Sequence, residues 1–448
     1  MLTLFPGEIP TYLFTLPAML QLELSSNQLS GPIQEFDTLY SHMIIVSLGQ
    51  NQISGQIPGS FFQLTSLIDL DLSSNNLTAH SVCDASNLKV LDLSYNNFSG
   101  LIPSCLIEGR SLVVLNLREN HFKGTLSDNV SDHCNLQTID LHGNNIQGQL
   151  PRSLSNCADL GILDIGNNRM VGTFPFWLGR LSDLRIIVLG SNLFYGSLTY
   201  PTRDRKSREY FSKLQIIDIA SNNFSGNLDP QWFERLASMM AKFNDMGNIL
   251  SHQSFYRDYH DTVAITYKGQ YVTFEEVLTT LTAIDFSNNA LEGDIPKSVG
   301  SLVSLHILNM SHNAFTGRIP PQIGEMRQLE SLDLSWNKLS GEIPQELTDL
   351  TFLSTLGLCR NKLDGRIPQS RQFLTFENTS YEGNTGLCGP PLSKPCGDSS
   401  NRNEVQVNTS RDHVDIILFL FVGVGFGVGF TAGILMKWGK IGKWLRIA

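Results

Sequence analysis

The sequence predicts an α/β-type solenoid, a stack of short repeats sharing one parallel β-sheet on its concave face, followed by one C-terminal transmembrane helix. Three observations carry this. The pattern L-x-x-L-x-L-x-x-N recurs thirteen times, mostly every 24 residues. The chain has 448 residues, too many for one compact core but natural for an elongated array. An uncharged apolar run of 21 residues, Ile416 to Met436, lies close to the end, long enough as a helix to cross a bilayer.

The repeat is clearest in "LKVLDLSYNNFSGLIP", Leu88 to Pro103. Its asparagines are Asn27, Asn51, Asn75, Asn96, Asn120, Asn144, Asn168, Asn192, Asn222, Asn289, Asn313, Asn337 and Asn361, and every apolar slot before them holds Leu, Ile, Val, Met or Phe. This is the leucine-rich repeat. The L-x-L core forms a short strand whose side chains alternate inward and outward. One repeat cannot bury its apolar side alone, so repeats stack into a continuous core. Each asparagine is expected to turn inward and satisfy backbone groups of the turn. A G-x-I-P half follows, and twelve repeats keep its glycine; the Asn75 repeat does not.

Two spacings break the rhythm. Between Asn192 and Asn222 lie six extra residues around "TRDRKSREY", whose Arg203, Arg205, Lys206 and Arg208 read as a solvated loop. Asn289 follows Asn222 at a spacing of 67 residues, and the interval holds a non-repeat island. Its alternating run around Lys268-Gly269 reads as a hairpin, interrupting the sheet surface and able to move independently.

The G-x-I-P half resembles the plant extracellular class of these repeats, in which it adds a short strand and twists the array into a superhelix. The order of an island with "DTVAITYKG", four repeats, "EGNTGLCGPPLSKPC", a juxtamembrane stretch and one span resembles the plant leucine-rich-repeat receptor-like proteins, cell-surface receptors that lack a kinase. The resemblance covers nearly the whole chain, although the juxtamembrane segment is only mildly acidic. It implies repeats over 1–230, the island over 231–280, four repeats over 281–375, a cap over 376–397, a linker over 398–415, the span over 416–436 and a cytosolic tail over 437–448. The family begins with a secretory signal and a cysteine-bearing cap, whereas "MLTLFPGEIP" looks like the tail of a repeat; the chain is expected to be the C-terminal portion of such a receptor, truncated at its N-terminus.

The tail "KWGKIGKWLRIA" holds four basic residues and no acid, so the preceding chain is more acidic than the formal −10 of the whole. Positive charge favours the cytosolic side, which places the repeats outside a plasma membrane. An acidic bulk argues against nucleic acid as partner. Sequons at Asn76, Asn97, Asn129, Asn223, Asn309, Asn378 and Asn408 favour a glycosylating compartment. Cys388 and Cys396 bracket a short Pro/Gly-rich loop and are expected to pair. Cys134 and Cys157 read as buried free thiols, and Cys83, Cys105 and Cys359 carry no assignment.

No catalytic constellation, metal-ligand set or cofactor motif emerges, and His252, His260, His306 and His312 lack ligand-like company. The sequence predicts a binding protein. Residues between the apolar slots face the concave side, and departures from small polar groups there mark candidate ligand contacts: Tyr95, Arg118, Glu119, His142, Arg185 and Val188, then His306, His312 and Trp336. The resemblance assigns Tyr259, Asp261, Lys268 and Gly269, with the four following repeats, to ligand or co-receptor. A glycan on Asn309 would disfavour tight contact there. In the span, Gly425, Gly429 and Gly433 form one ridge, and Gly423, Gly427 and Thr431 another on the opposite face. Small residues let helices pack closely in lipid, so the span is expected to dock a membrane receptor kinase. The expected function is perception of an extracellular peptide or protein, in immunity or alternatively development. Inhibition of a secreted cell-wall-degrading enzyme and a non-functional truncated copy are the other readings.

Overall fold

The computed structural model describes residues 5–78, 87–109, 111–199, 211–241, 250–253 and 258–396. The span with its glycines, the basic tail, Asn408, Cys83 and the four basic residues of the 200–210 loop lie outside the described residues. Among those described, no helix is long and apolar enough to cross a membrane.

Thirteen parallel strands, one per repeat, form a single inner sheet from Gln21–Glu23 to Thr355–Gly357. The middle residue of each faces the core, as Ile139 and Leu163 do, because side chains alternate across a strand. Short 3-10 helices such as Phe176–Arg180, Lys297–Ser301 and Pro321–Glu325 close the opposite side. A second parallel sheet of eight strands runs along the flank, from Ser99–Leu101 to Ala314–Thr316. The repeat glycine lies at or beside the end of each strand and takes a positive φ, +83° at Gly148, a conformation that a side chain would strain.

The asparagines hold the turns together. Asn144 Nδ2 donates to the carbonyls of Leu117, Leu141 and His142 at 2.9, 3.1 and 3.2 Å, while its Oδ1 accepts the Phe122 amide at 3.0 Å. The same four-bond arrangement recurs at Asn168 and Asn337. Each one joins its own repeat to the preceding one and pairs buried backbone groups of both turns.

The island does not break the solenoid. Strand Ile216–Asp218 pairs directly with Ala283–Asp285, and Asn223–Asn227 with Ala290–Asp294. The inserted residues leave the stack and return to it one repeat later.

Two expectations are corrected. Cys134 and Cys157 are disulfide-bonded rather than free; a 23-residue separation puts them on neighbouring turns with Cα atoms 4.6 Å apart, within bridging range. Cys105 is disulfide-bonded too, Cys388 pairs with Cys396, and Cys359 is free. Asn309 is buried, its amide donating to Asp285 Oδ2 at 3.1 Å, so the folded chain offers no room for a glycan there. The sequons at Asn76, Asn97, Asn129, Asn223 and Asn378 are exposed.

Candidate functional site

The outer face of the inner sheet is polar at its ends and apolar in its middle. The first residue of successive strands reads Ile162, Ile186, Ile216, Ala283 and Ile307. Exposed, that row would cost several kcal/mol of unburied aliphatic surface, at about 25 cal/mol per Å². The island covers it. Strands Val263–Tyr267 and Gln270–Phe274 form an antiparallel hairpin. Lys268 and Gly269 close it with φ of +52° and +75°, the signs that a two-residue hairpin turn requires. Val263, Ile265 and Val277 join the aliphatic row and Val188 in a second hydrophobic core separate from that of the solenoid.

Polar clasps fix both ends of the island. At one end the Tyr259 hydroxyl lies 3.2 Å from Asp92 Oδ2 and accepts from Asn116 Nδ2 at 2.9 Å, and Thr138 Oγ1 donates to Asp261 at 2.7 Å. At the other, the Tyr267 hydroxyl donates to Glu330 Oε2 at 2.6 Å, and Lys268 Nζ approaches the same oxygen at 3.2 Å. The contacts reach from the fourth repeat to the twelfth.

Beneath the near end lies a buried charge network. Arg118 Nη1 lies 3.1 Å from Asp164 and 3.4 Å from Asp140, and its Nε donates to the Tyr95 hydroxyl at 3.2 Å. His142 Nδ1 lies 3.0 Å from Asp164 and its Nε2 2.9 Å from the hydroxyl of Tyr271 on the hairpin. Burial, reinforced by Asp164, pushes Asp140 up to about 7. Burial also acts against ionised Asp164, but His142 and Arg118 outweigh it and hold Asp164 low. Burial acts against charged His142, and Asp164 more than offsets it, leaving the imidazole raised. Asp164 is thus the shared anion, and Asp140 is the group that keeps its proton into neutral pH. Burial and neighbouring Asp71 push Asp92 up to about 6.

Beside this network, between the inner sheet and the island edge, opens a cavity of about 510 Å³ lined by Asp71, Asp92, Tyr95, His260, Thr273 and Glu275. Its walls can hydrogen-bond, stack and hold a cation. Among the described residues, no cluster of His, Cys, Asp or Glu is arranged to hold a metal ion.

The leucine-rich-repeat family model matches residues 87–108, 135–157, 280–302, 304–326 and 328–350. Receptor like protein 22 of Arabidopsis thaliana is 51% identical over 247 residues, 54% of this chain and 31% of that protein. Receptor-like protein 34 of the same plant is 50% identical over 231 residues, 50% of this chain and 24% of that protein. The chain is a leucine-rich-repeat protein whose relatives are plant receptor-like proteins. The match spans less than a third of the length of these two relatives. Among solved structures, the Arabidopsis receptor kinase HAESA, in complex with the peptide hormone IDA and the co-receptor SERK1, aligns with a TM-score of 0.65 at 27% identity, over 87% of this chain and 57% of that one. PEPR1 with AtPEP1 aligns with a TM-score of 0.56 at 26% identity, over 86% and 58%.

The residues singled out from the sequence separate into three groups. Tyr95, His312 and Trp336 are exposed and Glu119 half-buried; each directly precedes a repeat asparagine and has φ between 52° and 53°, so their backbones form a rigid rim. Trp336 stacks on His312, centroids 5.2 Å apart, with the Arg360 guanidinium 5.0 Å from its ring. Arg118, His142 and Val188 were expected to face ligand, but they are buried under the island, because two carboxylates and the aliphatic row recruit them inward. Arg185 and His306 are only partly exposed, and His306 bonds Thr282 at 2.9 Å. Tyr259, Asp261 and Lys268 are the clasps, and Gly269 supplies the turn. The island therefore lies against the sheet rather than standing apart from it. Sequence reasoning missed Tyr271, Glu330 and the row Ile162 to Ile307. The row was legible: five consecutive repeats place an aliphatic where a solvated strand carries a polar residue.

Proposed function

We propose that this chain belongs to a single-pass receptor-like protein at the plasma membrane, with repeats outside and the basic tail in the cytosol. It binds an extracellular peptide or protein and signals through a kinase-bearing co-receptor. The observation that carries the reading is the island hairpin seated on the inner sheet. It leaves the upstream inner face open, and it joins that face to the later repeats through one continuous set of contacts. Ligand meets the chain at the cavity beside Tyr95 and Glu275. A cavity of that size takes one or two side chains of a longer partner, and its carboxylates favour a basic one.

The Lys268–Glu330 clasp and the Trp336 rim present the surface for the co-receptor, and the glycine ridges at 423–433 let the span pack against the kinase's own helix. Immunity is the role this reading favours. Developmental peptide perception is the second reading, supported by the likeness to HAESA bound to a peptide hormone.

The test is recovery of a receptor kinase with the full chain, expressed behind a grafted secretory signal and cap. Wild type recovers kinase. Gly425→Leu with Gly429→Leu weakens recovery more than Val422→Leu with Val428→Leu, and Lys268→Glu abolishes its dependence on ligand. No kinase recovered, where a full-length relative recovers one, overturns the proposal.

A further inference from the structure

The flank of the solenoid carries a surface that the receptor reading does not use. Five adjacent strands of the second sheet, Ser99–Leu101, His121–Gly124, Asn145–Gly148, Arg169–Gly172 and Leu193–Ser197, contain no aspartate or glutamate, on a chain whose formal charge is −10. Their outward side chains include Lys123, Arg169, Leu193 and Tyr195, all exposed. Two cavities open on this face, of about 450 and 960 Å³. Lys123 and Arg169 line the first; Tyr195, Trp177, Arg152 and Arg180 line the second. The strand Arg169–Gly172 contributes to both. Asp128, held low by hydrogen bonds from Ser153, lies in the field of Arg152.

We infer that this flank binds a linear anionic saccharide, a uronate chain, across its strands. Guanidinium and ammonium groups meet the carboxylates, and sugar faces lie against the exposed ring of Tyr195 and the half-buried ring of Trp177. Four of the five strands are interior to the sheet and have their backbone groups already paired, so an extended peptide gains main-chain bonds only at the edge strand Ser99–Leu101. The sequons Asn97 and Asn223 bracket the face five strand steps apart, which leaves about 24 Å at ~4.8 Å per step. That width suits a slender chain rather than a globular domain. The site lies away from the island and does not depend on what the island binds.

The experiment measures binding of a galacturonate oligomer to the full chain in detergent by thermophoresis. Its methyl ester, a neutral glucan of equal length and a poly-glutamate peptide of matched charge are the comparisons. The galacturonate oligomer binds, the ester and glucan do not, and added salt weakens binding. Lys123→Glu with Arg169→Glu weakens it roughly tenfold or more, and Tyr195→Ala weakens it too. Lys338→Glu with Lys362→Glu, the same charge change elsewhere on the flank, leaves it unaltered. Because both target side chains are exposed, the double variant keeps its unfolding temperature; if it does not, Lys123→Gln with Arg169→Gln replaces it and is read the same way. No galacturonate binding, binding indifferent to the Lys123/Arg169 change, or equally tight binding of poly-glutamate overturns the inference.

Discussion

The hydroxyl of Tyr271 sits 2.9 Å from Nε2 of His142, joining the island hairpin to a repeat 129 residues earlier. His142 holds Asp164 through its other nitrogen, and Asp164 holds Arg118. A residue at the hairpin edge thus completes a buried network of charges. Tyr271→Phe leaves the imidazole without that partner, at a cost of about 1–3 kcal/mol. Urea denaturation measures the loss, and faster amide exchange across residues 263–274 locates it in the hairpin.

The same network sets a pH dependence. Asp92 and Asp140 keep their protons to about 6 and 7 in the folded chain, against 3.8 as the ordinary value. Between those limits the folded state holds more protons than the unfolded one, so stability falls as pH rises. Raised His142 acts in the same direction. Asp164 and Glu330, held below the ordinary range, lose their contribution only as pH falls through their folded values. The unfolding temperature is therefore higher at pH 5 than at pH 8, by about 2 °C or more. Asp140→Asn flattens the slope in a thermal scan.

Asn144→Leu adds apolar surface to a core position, yet it removes three donated bonds and one accepted bond. The carbonyls and amide left behind stay buried. The predicted destabilisation is about 3 kcal/mol or more, read by chemical denaturation; an unchanged midpoint contradicts the role given to the ladder.

Cys134→Ser with Cys157→Ser opens a loop of 23 residues. The loss of cross-linking is worth about 3 kcal/mol on the chain-entropy account. Thermal unfolding with and without reductant checks it: wild type shifts downward on reduction, and the double variant gives no shift attributable to this bond.

The solenoid was legible because its physics is periodic. Each apolar slot and each asparagine in the pattern has one structural meaning, repeated thirteen times, and the thirteen-stranded sheet follows. The hairpin turn at Lys268-Gly269 was legible for the same local reason. The site was less so. Arg118 and His142 looked like departures facing solvent, and only the tertiary contact with Tyr271 and two buried aspartates turns them inward. The disulfide between Cys134 and Cys157 was misread because burial of a thiol and burial of a bridge leave the same trace in sequence. Asn309 carries a sequon, but its place on an inner strand under Asp285 is decided by the register of the sheet.

The central claim is that the island hairpin is seated on the inner sheet through Val263 and Ile265, each no more than 1% exposed. Hydrogen–deuterium exchange across residues 263–274 tests it most directly, comparing the wild-type chain with Ile265→Asp. Burying a carboxylate in that aliphatic core without a partner costs several kcal/mol, so the account predicts slow exchange in wild type and fast exchange in the variant, with the asparagine-ladder amides protected in both. Exchange in wild type as fast as in Ile265→Asp would contradict it.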